Sequence, residues 1–127
     1  MTSALIKDLQ IKPAMRIMFI NQPVGYEDTL GELPEGVLVV SQPRTRVDLV
    51  QLFSGSMAQL KDSLPQANRS LKTGGVLWVC WPEQSPNQAT DLTRDILWRA
   101  MLQEKYKPVA SIKISPIWAA MRFRRSR

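Results

Sequence analysis

A three-layer α/β fold, with helices on both faces of a mostly parallel sheet of about six strands, is predicted by this 127-residue sequence. Short, almost wholly apolar segments alternate with segments of helical periodicity, which indicates right-handed βαβ crossovers and parallel strands buried on both faces. Two strand segments near the C-terminus are joined by a short turn, which predicts an antiparallel hairpin. Because no segment has the composition of a linker, residues 1–127 are predicted to form one domain.

The first half of the chain is predicted to contain a short helix, three strands and a second brief helix. Ser3 can cap the first helix, and Pro13 then forces an extended approach to the first strand. The brief helix follows that strand and is closed by Gly31. The three strands are rich in apolar and β-branched residues, and they are RIMFI at 16–20, VLVVS at 37–41 and VDLVQLF at 47–53.

The second half is predicted to contain two longer helices, a central strand and the terminal hairpin. The segment 56–72 has an apolar stripe at helical spacing, and Pro65 is expected to divide it into two helical segments. The glycines of TGG at 73–75 are expected to end this helix. Thr90 or Asp91 can cap the last helix, which extends to about Lys105. The strands of this half are VLWVCW at 76–81, VASIKIS at 109–115 and WAAMRFR at 118–124.

The composition excludes several common kinds of catalytic site. The sequence has no histidine and a single cysteine, which excludes a serine–histidine triad, a histidine-ligated zinc site and an internal disulfide. That cysteine, Cys80, lies in an apolar strand and is interpreted as a small buried residue rather than a nucleophile. No apolar run approaches the roughly 20 residues that span a bilayer, and no signal-peptide cleavage site is found. A cytoplasmic protein without membrane association is therefore expected.

Three segments resemble, in this order, characteristic segments of the class I S-adenosylmethionine-dependent methyltransferases, which have a Rossmann-like fold. The segments are LQIKPAMRIMFINQPVG at 9–25, VDLVQLF at 47–53 and LKTGGVLWV at 71–79. The resemblance covers nearly the whole chain and also implies the terminal antiparallel hairpin. One strand–helix unit of that family's longer core is expected to be missing between Ser41 and Val47.

A closer resemblance is to a small bacterial family of unknown function that has the same reduced methyltransferase-like plan. Its members carry a Trp-Pro pair after the fourth strand, then a serine and a Thr-Asp-Leu-Thr segment. In this chain these features are Trp81-Pro82, Ser85 and residues 90–93. Members often have lysines directly after the Trp-Pro pair, whereas this chain has Glu83 and Gln84. This resemblance implies no established activity.

The turn after the first strand departs from the methyltransferase pattern. In that family an acidic residue ends the first strand, and three glycines let the backbone approach the cofactor closely. Laid on this sequence, the acidic position is Phe19, and the glycine positions are Asn21, Pro23 and Gly25. Proline lacks an amide donor and has a fixed φ, and the asparagine side chain is expected to fill space that glycine leaves open. The turn is therefore not expected to hold the cofactor in the usual way.

The second strand ends in Ser41 and Gln42, where the resemblance implies a carboxylate that holds the cofactor's ribose. The sequence therefore predicts a methyltransferase-like domain without methyltransferase activity or cofactor, acting as a binding module for a small ligand or a protein. The alternative is a divergent S-adenosylmethionine-dependent methyltransferase. In both cases the cleft is expected at the carboxyl ends of the strands, where the strand order reverses. Its candidate residues are Asn21, Gln22, Gly25, Tyr26, Ser41, Trp81 and Ser85.

Several side chains near this cleft have both a structural and a functional interpretation. Trp78 and Trp81 are three residues apart on one strand and face opposite sides of the sheet, so Trp78 is expected to pack against a helix. Glu27 and Asp28 are interpreted as a solvated first helical turn. Ser85 and the pair Thr90–Asp91 can either contact a ligand or serve as helix caps.

Positive charge is concentrated at the C-terminus. The net charge is +6, and four arginines lie within the last six residues, namely Arg122, Arg124, Arg125 and Arg127. Such a tail favours nucleic acid electrostatically, so weak nucleic-acid binding is a third hypothesis beside a merely solvated tail. The segment LKTGG can be a phosphate cradle or a helix stop, and the lack of a Lys-Ser or Lys-Thr pair after Gly75 favours the stop. The sequence does not decide whether the chain forms homo-oligomers, which an unpaired sheet edge left by the hairpin would allow.

Overall fold

The computed structural model describes residues 4–41, 45–83 and 91–125, and these residues form one six-stranded sheet with helices on both faces. The strands are β1 (Arg16–Ile20), β2 (Leu38–Val39), β3 (Val47–Phe53), β4 (Leu71–Pro82), β5 (Tyr106–Lys113) and β6 (Trp118–Arg125). Their order across the sheet is β2-β1-β3-β4-β6-β5. The first four are parallel, and β6 is antiparallel to both β4 and β5. The predicted mostly parallel sheet with its terminal hairpin is confirmed.

The helices of the described residues are α1 (Ala4–Leu9), α2 (Tyr26–Leu30), α3 (Met57–Ser70) and α4 (Arg94–Gln103). α1 and α2 cover one face of the sheet, and α3 and α4 cover the other, which gives the three predicted layers. Each face has its own apolar core, because the parallel strands carry apolar side chains on both sides. Leu49 and Phe53 of β3 contribute to the core under α1 and α2, whereas Val50 and Leu52 contribute to the core under α3 and α4.

Chain order places the reversal of strand order at β1. The chain runs from β1 to β2 on one side, and from β2 to β3 on the other side of β1. The carboxyl end of β1 is therefore the switch point at which α/β sheets commonly bind ligands. β3 follows β2 directly, which agrees with the predicted loss of one strand–helix unit. β2 is shorter than the expected segment 37–41, since it pairs with β1 alone and through two residues, Leu38 and Val39.

Two local predictions about α3 are wrong. Pro65 does not divide the helix, which is continuous from Met57 to Ser70. The glycines at 73–75 do not end it, because Leu71 already has extended backbone and begins β4. Gly74 and Gly75 lie instead inside β4, where the pairing with β3 shifts register between Val47 and Leu49. These glycines therefore accommodate an irregular strand rather than a helix end.

Gly75→Ala is expected to lower the free energy of unfolding by about 1–3 kcal/mol, as overpacking does in a filled core. A Cβ at this position would lie 2.6 Å from Cδ1 of Leu71 and 3.0 Å from the backbone oxygen of Asp48. Urea denaturation measures the loss. Gly55→Ala is the matched control, since its Cβ would lie 3.5 Å from Oε1 of Gln59, an ordinary contact. Equal losses in the two variants would contradict the steric argument.

Candidate functional site

The turn between β1 and α2 has left-handed backbone at two of the three positions where the methyltransferase resemblance expects glycine. The dihedral φ is 60° at Asn21 and 82° at Gly25. Glycine adopts this region freely, and asparagine is among the few other residues that tolerate it. The turn thus has a backbone that glycine favours at both positions, although only Gly25 is a glycine. Its position at the carboxyl end of β1 is the switch point of the sheet.

The side chain of Asn21 is tied to a helix. Its Nδ2 donates a hydrogen bond of 2.8 Å to Oγ of Ser63, which is buried in α3. The side chain of Asn21 is thus directed to α3, and Asn21 is not among the residues that line the cavity over the turn. The sequence did not identify Ser63, although the signal was present, because a serine three residues after Leu60 lies near the apolar stripe of α3.

A shallow cavity of about 360 Å³, widely open to solvent, lies over the turn. It contains three of the predicted residues, Gln22, Gly25 and Tyr26, but its wall is formed by one continuous stretch of chain rather than by several strand ends. A Cβ at Gly25 would meet nothing within 4 Å, so the space above this residue is open. The full lining is Gln22, Pro23, Val24, Gly25, Tyr26, Glu27 and Asp28. Exposed carboxylates from Glu27 and Asp28 thus border the cavity beside the rigid ring of Pro23.

The ring of Tyr26 belongs to the core beneath the cavity. It packs edge-on against Phe19 and Phe53, with ring centroids 5.5 Å and 4.7 Å away. Its hydroxyl accepts a 2.6 Å hydrogen bond from Nε2 of Gln51, and burial raises the pKa of this phenol far above its ordinary value. Tyr26 is therefore neutral and structural, and it cannot act as a general base at neutral pH.

Gln51 is a buried polar residue that the sequence reasoning missed. It is fully buried in β3, and its Nε2 also lies 3.5 Å from Sγ of Cys80. Burial raises the pKa of the Cys80 thiol to about 12, which supports its interpretation as an unreactive core residue. An amide inside the apolar strand VDLVQLF was the available signal, because a buried amide needs a polar partner.

The other predicted cleft residues are not part of this cavity. Phe19, at the acidic position of the resemblance, is 7% exposed and packs in the core. Ser41 is exposed beyond β2 and does not line the cavity. Trp81 is 1% exposed within the core under α3 and α4. The prediction that it lines the pocket is therefore wrong. Ser85 lies outside the described residues.

Helix capping explains the polar residues before α4, but with different partners from those predicted. The cap of α4 is Thr93, whose Oγ1 accepts a hydrogen bond from the backbone N–H of Ile96. Oδ1 of Asp91 instead accepts from the backbone N–H of Met57, at 2.8 Å, next to Ser56, which is the N-cap of α3. Asp91 thus joins the segment before α4 to the first residue of α3. Thr90 lies outside the described residues.

Within residues 4–41, 45–83 and 91–125, no three Asp, Glu, Cys or His side chains are grouped so that they could hold a metal ion. No helix within those ranges is long and apolar enough to cross a membrane.

Solved methyltransferase structures share this architecture. A ribosomal protein L11 methylase from Lactobacillus delbrueckii subsp. bulgaricus aligns with a TM-score of 0.62 and 11% identity, over 97% of this chain and 75% of that chain. A SAM-dependent methyltransferase from Aquifex aeolicus aligns with a TM-score of 0.65 and 10% identity, over 94% and 86%. A complex of DhpI with SAH aligns with a TM-score of 0.63 and 11% identity, over 97% and 82%.

No protein-family model and no curated protein matches the sequence. At about a tenth identity the structural similarity shows the fold alone. The chain has a methyltransferase-like Rossmann fold, as the resemblance of its three segments implied.

Proposed function

We propose that the cavity over residues 22–28 binds a ligand of the S-adenosylmethionine type, and that the chain is a divergent S-adenosylmethionine-dependent methyltransferase. One observation carries the proposal, namely a turn with left-handed backbone at Asn21 and Gly25 beneath an open cavity at the switch point. The side chain of Asn21 does not block this cavity, because its hydrogen bond to Ser63 holds it outside the cavity lining. The shared fold supports the same position for the ligand.

The residues of the cavity fit such a ligand in part. The open space above Gly25 lets a ligand approach the backbone closely, as glycine does in nucleotide-binding turns. Glu27 and Asp28 supply carboxylates that can accept hydrogen bonds from ribose hydroxyls. The amide side chain of Gln22 can donate to or accept from polar groups of the ligand. When bound, S-adenosylmethionine would supply the methyl group.

A second candidate is a binding module without transferase activity, and Pro23 and Phe19 favour it. Pro23 lines the cavity and offers no backbone donor, and the side chain at position 19 is an apolar ring buried in the core. Tyr26 is not available as a base, because its hydroxyl is buried and bound to Gln51. Such a module would take a small ligand or a protein at the same turn.

Isothermal titration calorimetry with S-adenosylmethionine and its demethylated product tests the first proposal. We expect saturable binding by the wild-type chain, and we expect Gly25→Ala to weaken it at least about tenfold, or about 1.4 kcal/mol. The added methyl group would project into the cavity from a residue whose φ is 82°. Absence of saturable heat with both compounds would contradict the proposal and favour the second candidate.

Gly31→Ala is the matched control for backbone strain. Gly31 has φ of 79° and also open space around a Cβ, but it ends α2 and does not line the cavity. Gly31→Ala should lose at least as much stability as Gly25→Ala, about 1–3 kcal/mol, because Gly31 combines φ of 79° with ψ of −154°, a backbone that essentially only glycine adopts, whereas Gly25 has left-handed backbone. Ligand affinity should fall only in Gly25→Ala. An equal fall in both variants would mean that the loss reflects stability rather than contact with the ligand.

A further inference from the structure

A basic cleft lies at one end of the sheet, at the amino ends of the parallel strands and so opposite the turn after β1. The amino ends of β4 and β5 and the carboxyl end of β6 meet there, because β6 is antiparallel to both neighbours. The pairing of β4 with β6 begins at Leu77 and Phe123, so the first residues of β4 and the last residues of β6 extend beyond the paired region at this end of the sheet. A cavity of about 450 Å³ lies there, lined by Leu71, Lys72, Thr73, Gly74, Gly75, Lys107, Arg124 and Arg125.

The charges around the basic cleft are arranged unfavourably for the protein alone. Lys107 of β5 lies directly opposite Arg124 of β6, and like charges in this arrangement destabilise a sheet. Both side chains are exposed. Lys72 is the one lining cation with an acidic partner among the described ion pairs, since its Nζ lies 2.5 Å from Oδ1 of Asp48. A bound anion would relieve the repulsion between the other cations.

Arg125 is held in position at the cleft before any ligand binds. Its Nη2 donates to Oδ1 of Asn68 at 3.1 Å and to the hydroxyl oxygen of Tyr106 at 3.2 Å. The guanidinium also lies 5.4 Å from the centre of the Tyr106 ring. A guanidinium has five N–H donors, so it can keep these contacts and still bind a phosphate. Fixing the side chain in advance lowers the entropy cost of binding.

We propose that the basic cleft binds the phosphate backbone of single-stranded nucleic acid. The lining offers four cations, the hydroxyl of Thr73 and a glycine backbone, but no aromatic ring on which a base could stack, so recognition would be through phosphates. Gly74 has φ of 79° and open space where a Cβ would lie, so the backbone is accessible there. The cations lie on three adjacent strands, which suits successive phosphates of one polymer better than a single small anion.

This site differs from the C-terminal tail that the sequence suggested. Arg122, Arg124 and Arg125 are part of β6 rather than a tail, and Arg127 lies outside the described residues. The side chain of Arg122 is bonded to Oε1 of Gln10 and does not line the cleft. LKTGG, interpreted above as a helix stop, forms instead one wall of the cleft. The proposal does not depend on the ligand of the turn after β1.

Fluorescence anisotropy with a labelled single-stranded oligouridine of about 12 nucleotides tests the proposal. We expect binding at about 50 mM salt that weakens steeply by about 200 mM. Lys107→Glu should weaken binding at least about tenfold at the lower salt concentration, because it places a carboxylate among the phosphate contacts. The same change replaces a like-charge pair with an ion pair to Arg124, so the Tm should not fall. Loss of binding without loss of stability is the distinctive result.

Lys113→Glu is the matched control. Lys113 is exposed at the far end of the same strand, opposite Ala119. Its substitution changes the net charge by the same amount as Lys107→Glu. The control variant should keep affinity within about twofold of the wild type at the same salt concentration. Three results would overturn the proposal: no binding at the lower salt concentration, an equal loss in Lys113→Glu, or complete displacement of the oligonucleotide by millimolar inorganic phosphate.

Discussion

Trp78→Ala is expected to lower the free energy of unfolding by about 3–5 kcal/mol, as truncation of a large buried aromatic residue does. The side chain is 1% exposed in the core under α1 and α2. Its Nε1 donates a 2.9 Å hydrogen bond to the backbone oxygen of Leu9, the last residue of α1. The substitution therefore leaves a cavity and also removes the partner of a carbonyl at a helix end. Urea denaturation of the wild type and the variant measures the difference.

Trp98→Ala provides the comparison that separates burial from residue type. Trp98 is 44% exposed on α4, so its truncation removes little buried area. We expect a loss below about 1 kcal/mol, typical of surface substitutions. If the two variants lost similar stability, the assignment of Trp78 to the core would be contradicted. Loss of helical signal at low urea in Trp78→Ala alone would show that the tryptophan anchors α1.

Strand alternation made the two tryptophans of β4 predictable. Side chains three residues apart on a strand face opposite sides, and Trp78 and Trp81 do lie in the two separate cores. The order of strands and helices followed equally well from apolar segments and helical periodicity. What the alternation could not show was the depth of Trp81, because exposure at a strand end depends on what packs there. α3 and α4 bury it, so it is not a wall of the predicted cleft.

Proline and glycine residues were less reliable signals of where helices end. Proline removes one helical hydrogen bond, but the residues around Pro65 bury a nearly complete apolar stripe, with Leu60, Leu64 and Ala67 each at most 5% exposed. That burial outweighs the local cost, which is about 3 kcal/mol in a helix interior. The two glycines after α3 were expected to end it, although Gly75 is needed because Leu71 and Asp48 crowd it. In both cases tertiary contacts override the local preference.

The position of the candidate site was predictable, but its details were not. The switch point follows from chain order, so the turn after β1 could be found from the sequence. The contact between Asn21 and Ser63 joins residues 42 positions apart, and no pattern along the chain specifies it. The basic cleft is equally non-local, since it brings together residues from 71–75, 107 and 124–125. Of the C-terminal arginine cluster, Arg122, Arg124 and Arg125 therefore lie in β6, where Arg124 is opposite Lys107 of β5.

Stability is expected to fall steeply above about pH 9, because two buried acids keep their protons in the native state. Burial raises the pKa of the Cys80 thiol from 9.0 to about 12, and burial likewise raises the pKa of the Tyr26 phenol above its ordinary 10.0. The unfolded chain releases these protons at the ordinary values, whereas the native chain holds them. Stability is therefore complete below pH 9 and decreases by about 1.4 kcal/mol per pH unit for each group while only the unfolded state is ionised. From about pH 9 to 11 the two groups together should remove about 4 kcal/mol.

Urea denaturation at pH 8 and pH 11 measures this loss in the wild type, Cys80→Ala and Tyr26→Phe. Each substitution lowers stability at pH 8, because Gln51 loses a contact in either case, from Cys80 or from Tyr26. The informative quantity is the difference between the two pH values, which should shrink by about 2–3 kcal/mol in Cys80→Ala and by about 1 kcal/mol in Tyr26→Phe. An unchanged pH dependence in Cys80→Ala would mean that the native thiol ionises normally. A reactive thiolate would then lie next to Gln51, and the interpretation of this core as chemically inert would be wrong.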